Sequence, residues 1–374
     1  MKSIIANANR YTDGTNVPGE DSFGRARIVV VGCGGAGNNT ITRLHMLGGI
    51  SGAQTLALNT DKQHLAITEA DNKILIGREL TQGLGAGGDP ERGYKAAEES
   101  RQEIKAVLDG AHLVFVTAGM GGGTGTGSAS VVAEIAKAQG ALVIGVVTLP
   151  FKMEGNPRQQ KAEMGLNMLS SIADTVITLD NNKLLELVPN QPVNYAFSVA
   201  DEVLAEMVKG LSETITTPSL VNLDFADIRA VMTSGGYAMI GVGESNTKNR
   251  AEEAVHEALK NKLLEVDYSH ARGALVHVTG GPDMSLSEAN MVGELICKQI
   301  GGEANVTWGA RVDDNLRDSI RVMLILTGVT SPWISGREAD GGKAGFGKSS
   351  FGEDKTPKQK GGINWAAFNI TRIN

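Results

Sequence analysis

LVFVTAGMGGGTGTGSASVVAEIAKAQ, residues Leu113 to Gln139, passes from a run of buried-type apolar residues through seven consecutive Gly and Thr residues into a helical pattern. Leu113–Thr117 reads as a buried parallel strand and Ser128–Gln139 as the following helix. Glycine costs more conformational entropy to fix than any other residue. Gly121–Gly127 is therefore an expensive way to turn a chain, and the segment makes better sense as backbone laid against a ligand at a helix N-terminus.

A second loop of this kind lies upstream. GCGGAGNN, Gly32 to Asn39, closes the apolar run RIVVVG (27–32) and opens a helical pattern. It also fits the dinucleotide fingerprint at Gly32, Gly34 and Gly37, with Asp61 near the position of a ribose-binding acid. From this loop alone a nicotinamide-dependent oxidoreductase is a competing reading. Two glycine cradles, however, suit a longer phosphate chain than a pyrophosphate. Neither loop holds a lysine and no Walker-type motif occurs, so phosphate charge is left to amides, helix dipoles and a divalent cation.

Further apolar runs at Thr55–Asn59, Leu142–Leu149 and Thr175–Leu179 predict strands, and Asn39–Leu47, Pro90–Leu108 and Asn156–Ser171 predict helices. Strand and helix alternate, which implies a doubly wound α/β domain with a parallel sheet over residues 25–195, after a flexible arm at 1–24. Apolar residues then recur at helical spacing from Ala196 to Ile215, so residues 196–220 read as a long central helix. Strands at Ala238–Val242, Ala274–Thr279 and Arg321–Thr327, with helices at Asn249–Leu264 and Leu286–Ile300, predict a smaller α+β domain over 221–330. Residues 331–374 read as a disordered linker ending in an apolar patch of Ile363, Trp365, Phe368, Ile370 and Ile373. That patch reads equally as a frayed end or as a peptide that docks a partner.

The 374 residues carry a formal charge of −7. Residues 331–374 hold seven Lys or Arg against four Asp or Glu, a charge of +3, which leaves −10 on the rest. An acidic body disfavours nucleic-acid binding by phosphate neutralisation. Cys33 and Cys297 are the two cysteines, with no disulfide or zinc pattern, and the six histidines show no helical ligand pair. No metal site built by protein side chains is expected. No stretch is apolar enough to span a bilayer, so the chain reads as soluble and cytoplasmic, without direct membrane insertion.

GGGTGTG with the preceding TAGM resembles the tubulin-type signature of FtsZ, the prokaryotic division GTPase. ALNTD (57–61), LTQGLGAGGDPERG (80–93), LPFKMEGNPR (149–158), DNNKL (180–184) and NLDFADIR (222–229) follow in that family's order. The resemblance covers about residues 25–330 and implies a tubulin/FtsZ-like fold that binds GTP or GDP with Mg²⁺. It implies that Gly35, Ala36, Gly37, Asn38 and Asn39 cradle phosphates from one side, and Gly123, Thr124, Gly125 and Thr126 from another. Ala86 and Gly87 would sense the γ-phosphate, and Glu154 and Arg158 would lie near the ribose and phosphates. Asn181 and Asp201 would read the guanine edge, with Phe197 stacking; a carboxylate suits the N1 and N2 donors of guanine and repels the acceptors of adenine.

Asn222, Asp224 and Asp227 sit at i, i+2 and i+5, a spacing that fits a loop entering a helix and, read locally, a capping cluster. The resemblance instead makes them a catalytic loop that inserts into the nucleotide pocket of the next subunit, where Asp224 and Asp227 can orient a water in line with the γ-phosphate. The implied function is a GTPase that assembles head to tail into filaments, of the cell-division ring type and located at mid-cell. A scaffold that binds nucleotide without turnover is a third class. Ser128–Ser130 and Ala36 depart from the common bacterial pattern, as does the ending GGINWAAFNITRIN, and the whole looks more like an archaeal member. A membrane-anchor or regulator protein would be the partner of the tail.

Overall fold

The computed structural model describes residues 26–50, 52–183, 192–216, 219–221, 223–233, 236–260, 268, 271–300 and 304–329. The expected N-terminal arm, Asn222 and the tail with its apolar patch lie outside these residues.

Ten strands form one sheet in the order β3-β2-β1-β4-β5-β6-β7-β10-β8-β9. The first six are β1 (Ile28–Cys33), β2 (Ala53–Asn59), β3 (Asn72–Leu75), β4 (Leu113–Gly119), β5 (Leu142–Leu149) and β6 (Thr175–Asp180), all parallel. Each parallel crossover carries its helices across a face of the sheet. The order 3-2-1-4-5-6 is that of doubly wound dinucleotide folds, so topology alone leaves the oxidoreductase reading open.

Burial on both faces explains why β1 and β4 read as continuous apolar runs. Ile28, Val30, Leu113 and Phe115 point into one core, while Val29, Val31, Val114 and Val116 point into the other. Burying each such side chain contributes about 1.5–3 kcal/mol. The first core is covered by α1 (Gly34–Met46) and the long α8 (Val193–Thr216). Its opposite number is covered by α4 (Pro90–Glu99), α5 (Arg101–Leu108), α6 (Thr124–Ala138) and α7 (Asn156–Ser170). Two short helices, α2 (Lys62–Ile67) and α3 (Arg78–Thr81), flank β3.

The second unit contains α9 (Phe225–Met232), β7 (Tyr237–Ser245), α10 (Arg250–Leu259), β8 (Gly273–Gly280), α11 (Leu286–Gln299), β9 (Asn305–Val312) and β10 (Ile320–Val329). Its sheet continues the first through a short parallel pairing, Val176 with Tyr237 and Ile177 with Ala238. Ala200, Leu204, Met207, Val208 and Leu211 of α8 lie in the same core as Ile228, Ile240, Leu275, Met323 and Ile325, so the central helix is packed by both units.

Several expected boundaries move. The helices expected from Asn39 and Ser128 begin at Gly34 and Thr124, because the glycine-rich stretches themselves form the first helical turns. Pro90–Leu108 divides at Ser100 into two helices. Two strands stand outside those expected: β3, of only four residues, and β9, at the sheet edge with a mixed burial pattern.

Candidate nucleotide site

The C-terminal ends of β1 and β4 deliver α1 and α6 side by side. Gly34, at φ +70°, begins α1, and a Cβ there would stand 2.7 Å from the Gly125 amide nitrogen. Neither Cys33 nor Gly123, the residues that precede the two helices, caps its helix with a side chain. Helix starts carry amide donors without intrahelical partners and a partial positive charge, and two of them converging make a site for a polyanion. Cys33 below them is fully buried, its thiol pushed up to about 12 by desolvation, so it serves as packing and not as a nucleophile.

A third segment closes over the second loop. A Cβ on Gly123 would meet the Asp89 nitrogen at 2.8 Å and the Ala86 Cβ at 2.9 Å, so the 83–89 loop with Ala86 and Gly87 rests on the cradle. Asp89 caps α4 through Glu91 N, and Lys161 donates to Gly88 O at 2.6 Å. Thr60 and Thr124 hydroxyls lie 2.7 Å apart, tying the ALNTD segment to the start of α6.

Two expected phosphate contacts have their side chains turned inward. Asn38 is fully buried; with its amide set to satisfy its partners, it donates to Gly32 O at 2.9 Å and Gly34 O at 3.2 Å, and accepts from Asn59 Nδ2 at 3.1 Å. Thr126 is buried and its hydroxyl accepts from Gly121 N at 2.9 Å. Both side chains hold the loops in shape and leave only backbone for a ligand. Gly35 has open space where a Cβ would project, whereas a Cβ on Gly37 would lie 2.4 Å from Thr117 O.

The residues expected around the base and ribose gather at the ends of β5 and β6 and on the first half of α8. Glu154 Oε1 accepts from Phe151 N at 2.8 Å, and Glu154 Oε2 pairs with Arg158 at 2.9 Å. Phe151 is buried and meets Phe197 edge to face at 5.2 Å, leaving Phe197 43% exposed as an open ring face. Asn181 is buried with its Oδ1 unpartnered. Burial pushes the Asp201 carboxyl up to about 7, against the opposing pull of Arg43 and a hydrogen bond with the Asn39 side chain. Arg43 also pairs with Glu202, which fixes α8 to α1.

Asp61, the acid that fitted a dinucleotide fingerprint, is spent locally: its Oδ1 caps α2 by accepting from Gln63 N at 2.8 Å and His64 N at 3.1 Å. That use competes with the ribose contact the oxidoreductase reading gave this acid.

Asp224 and Asp227 stand elsewhere. Both are exposed at the start of α9, where Asp224 N donates to Asp227 Oδ2 at 3.3 Å, a weak version of the capping cluster. Helix α9 is anchored to the N-terminal ends of the parallel strands. Phe225 meets His112 just before β4 at 6.2 Å, Arg229 donates to Gly140 O just before β5 at 3.1 Å, and Thr175 at the start of β6 donates to Met232 O at 2.6 Å. The glycine loops leave β1 and β4 at the opposite, C-terminal edge of the parallel strands, about 20 Å away along the seven residues of β4.

No group of three or more His, Cys, Asp or Glu among the described residues is arranged to hold a metal ion, and no helix among them is long and apolar enough to cross a membrane.

Known proteins match this arrangement. The model of the Tubulin/FtsZ family GTPase domain covers residues 27–189, and that of the FtsZ family C-terminal domain covers residues 236–330. Cell division protein FtsZ 2 of Methanocaldococcus jannaschii is 61% identical over 322 residues, covering 85% of this chain and 84% of the relative. Cell division protein FtsZ 2 of Haloferax volcanii is 55% identical over 329 residues, covering 88% and 82%. A solved empty FtsZ dimer from M. jannaschii superposes with a TM-score of 0.77 at 52% identity, covering 88% of this chain and 93% of its own. The oxidoreductase reading is thereby set aside: the chain belongs to the Tubulin/FtsZ family and carries that family's GTPase domain.

Proposed function

We propose that this GTPase assembles head to tail and hydrolyses GTP to GDP and phosphate at a junction between copies, one chain supplying the glycine cradle and the next supplying Asp224 and Asp227 with Asn222. The observation that carries this reading is the placement of cradle and carboxylates at opposite ends of the parallel strands. One chain cannot bring them together without breaking its core, whereas a copy stacked end to end can. Such a contact is heterologous and repeats as an open filament.

In this reading the amides that begin α1 and α6 bind the phosphates, with Gly35, Ala36, Asn39 and Thr124 on the ligand side. Gly37, Gly123 and Gly125 keep the loops close enough to do so. Asn181 and Asp201 take the guanine edge, Phe197 stacks on the base, and Glu154 and Arg158 face the ribose and phosphates. The neighbour's Asp227, with Asp224, orients a water for in-line attack, and the cradle amides stabilise the charge that develops on the γ-phosphoryl oxygens. Mg²⁺ fits this site as an ion held mainly by the phosphates and water, neutralising phosphate charge, since Mg²⁺ keeps several waters and takes few protein carboxylates. The tail would then dock a membrane-anchor or regulator protein and place the filament at mid-cell.

Asp227→Ala tests the assignment. The variant is expected to bind GTP and to form filaments by light scattering while losing most phosphate release. Turnover at the parent's rate would remove Asp227 from the mechanism, and scattering without turnover in the parent itself would leave a nucleotide-dependent scaffold.

A further inference from the structure

Resting on the nucleotide-site reading above, we propose that Asp180 is a positioning residue that locks the base wall of the pocket to its ribose wall through Asn182. Asp180 ends β6 and is paired in register with Leu149, the last residue of β5, so it stands where the 150–154 turn leaves the sheet. It is buried, and its Oδ1 accepts from both the Asn182 backbone nitrogen at 2.9 Å and Asn182 Nδ2 at 2.7 Å. Asn182 in turn spans the gap: its Oδ1 accepts from Lys152 N at 2.9 Å and its Nδ2 donates to Pro150 O at 3.4 Å.

The turn held in this way carries Phe151 and Glu154. Phe151 is the buried partner of the Phe197 ring, and Glu154 is fastened to Phe151 N and Arg158. Between Asp180 and Asn182 in the chain lies Asn181, whose buried Oδ1 has no partner and which would read the base. One carboxylate thus sets the spacing between the residue that reads guanine and the turn that meets the ribose. A buried carboxylate is a costly group to keep in a core for packing alone, and here one of its oxygens takes both Asn182 donors while Oδ2 stays unpartnered. A hydrogen-bonded asparagine clamp of this kind acts on geometry, so it affects binding of any nucleotide that shares the sugar and phosphates.

The experiment uses the full-length protein below its assembly threshold, with fluorescent GDP and fluorescent IDP as probes, followed by steady-state turnover at saturating GTP. Asp180→Ala and Asn182→Ala are each expected to weaken both probes about tenfold and to the same extent, the scale of losing a hydrogen bond to a charged group. KM for GTP should rise with kcat retained, the double variant should be no worse than either single one, and Asp180→Asn, which keeps an acceptor for Asn182, should restore most of the affinity. Parental affinity in both single variants, additive losses in the double, or a loss confined to GDP would overturn the clamp. Should Asp180→Ala fail to fold, Asn182→Ala and Asp180→Asn give the same test. If the parent itself binds neither probe, it is the nucleotide-site reading that fails.

Discussion

The two ends of the parallel strands are built by opposite rules. At the C-terminal end, glycines are packed so closely that a Cβ on Gly37, Gly93 or Gly123 would come within 3 Å of neighbouring backbone, and even Asn38 and Thr126 are consumed in holding loops. At the N-terminal end, Asp224 and Asp227 are exposed, and the side-chain bond between them, from Asp224 N to Asp227 Oδ2, is weak. A site preorganised for binding must be rigid before its ligand arrives. Carboxylates that serve another chain's site, as proposed for these two, must stay accessible, and their own fold gains little from them. In the proposed reading, the contrast separates binding from catalysis along one strand length.

The contrast is sharpest in Asp227→Ala. Loss of a positioned acid–base group lowers turnover by about 10²–10⁴-fold, yet the midpoint of thermal unfolding should barely move, since the variant loses only a bond at an exposed helix start, worth less than about 1 kcal/mol. Gly37→Ala inverts that pattern. Its Cβ would meet Thr117 O at 2.4 Å, so it should destabilise by about 1–3 kcal/mol and weaken nucleotide binding, whereas Gly35→Ala, with open space at that position, should leave the unfolding midpoint near the parent's. Equal thermal shifts for Gly35→Ala and Gly37→Ala would break the comparison.

Two smaller effects probe the base pocket. If Asp201 reads guanine as proposed, it must be ionised to accept from N1 and N2, and burial raises it to about 7, so protonation competes with binding as pH falls through that value. GDP affinity should therefore decrease about tenfold between pH 8 and pH 6 and level off above pH 8, and Asp201→Asn should flatten the titration while weakening binding. Phe197→Ala should cost about 1 kcal/mol of GDP affinity, a several-fold rise in Kd, because its ring is half-exposed and edge-packed on Phe151.

Much of this was legible in the sequence because it follows from local rules. The doubly buried strands announce themselves as apolar runs, and the central helix by its 3.6-residue period. Glycine-rich stretches hid the starts of α1 and α6, since Gly and Thr disfavour helix in isolation and adopt it here through close packing between Gly34 and Gly125. Strand β3 is too short and β9 too mixed in burial to stand out. Within the site, spacing marked the glycines, but not that Asn38 and Thr126 turn inward or that Asp180 and Asn182 bridge two loops, because those contacts depend on strand register. The placement of α9 at the far end of the sheet is likewise a property of the fold, carried by contacts such as Arg229 with Gly140, 89 residues apart in sequence.

The most direct measurement is GTP turnover per chain as a function of protein concentration, with Mg²⁺ present, ATP as the control nucleotide and light scattering recorded in parallel. A site divided between two chains gives turnover and scattering that rise together above one shared threshold, with ATP inert. Turnover per chain that stays constant down to concentrations without scattering would contradict it, since every catalytic group would then lie within a single chain.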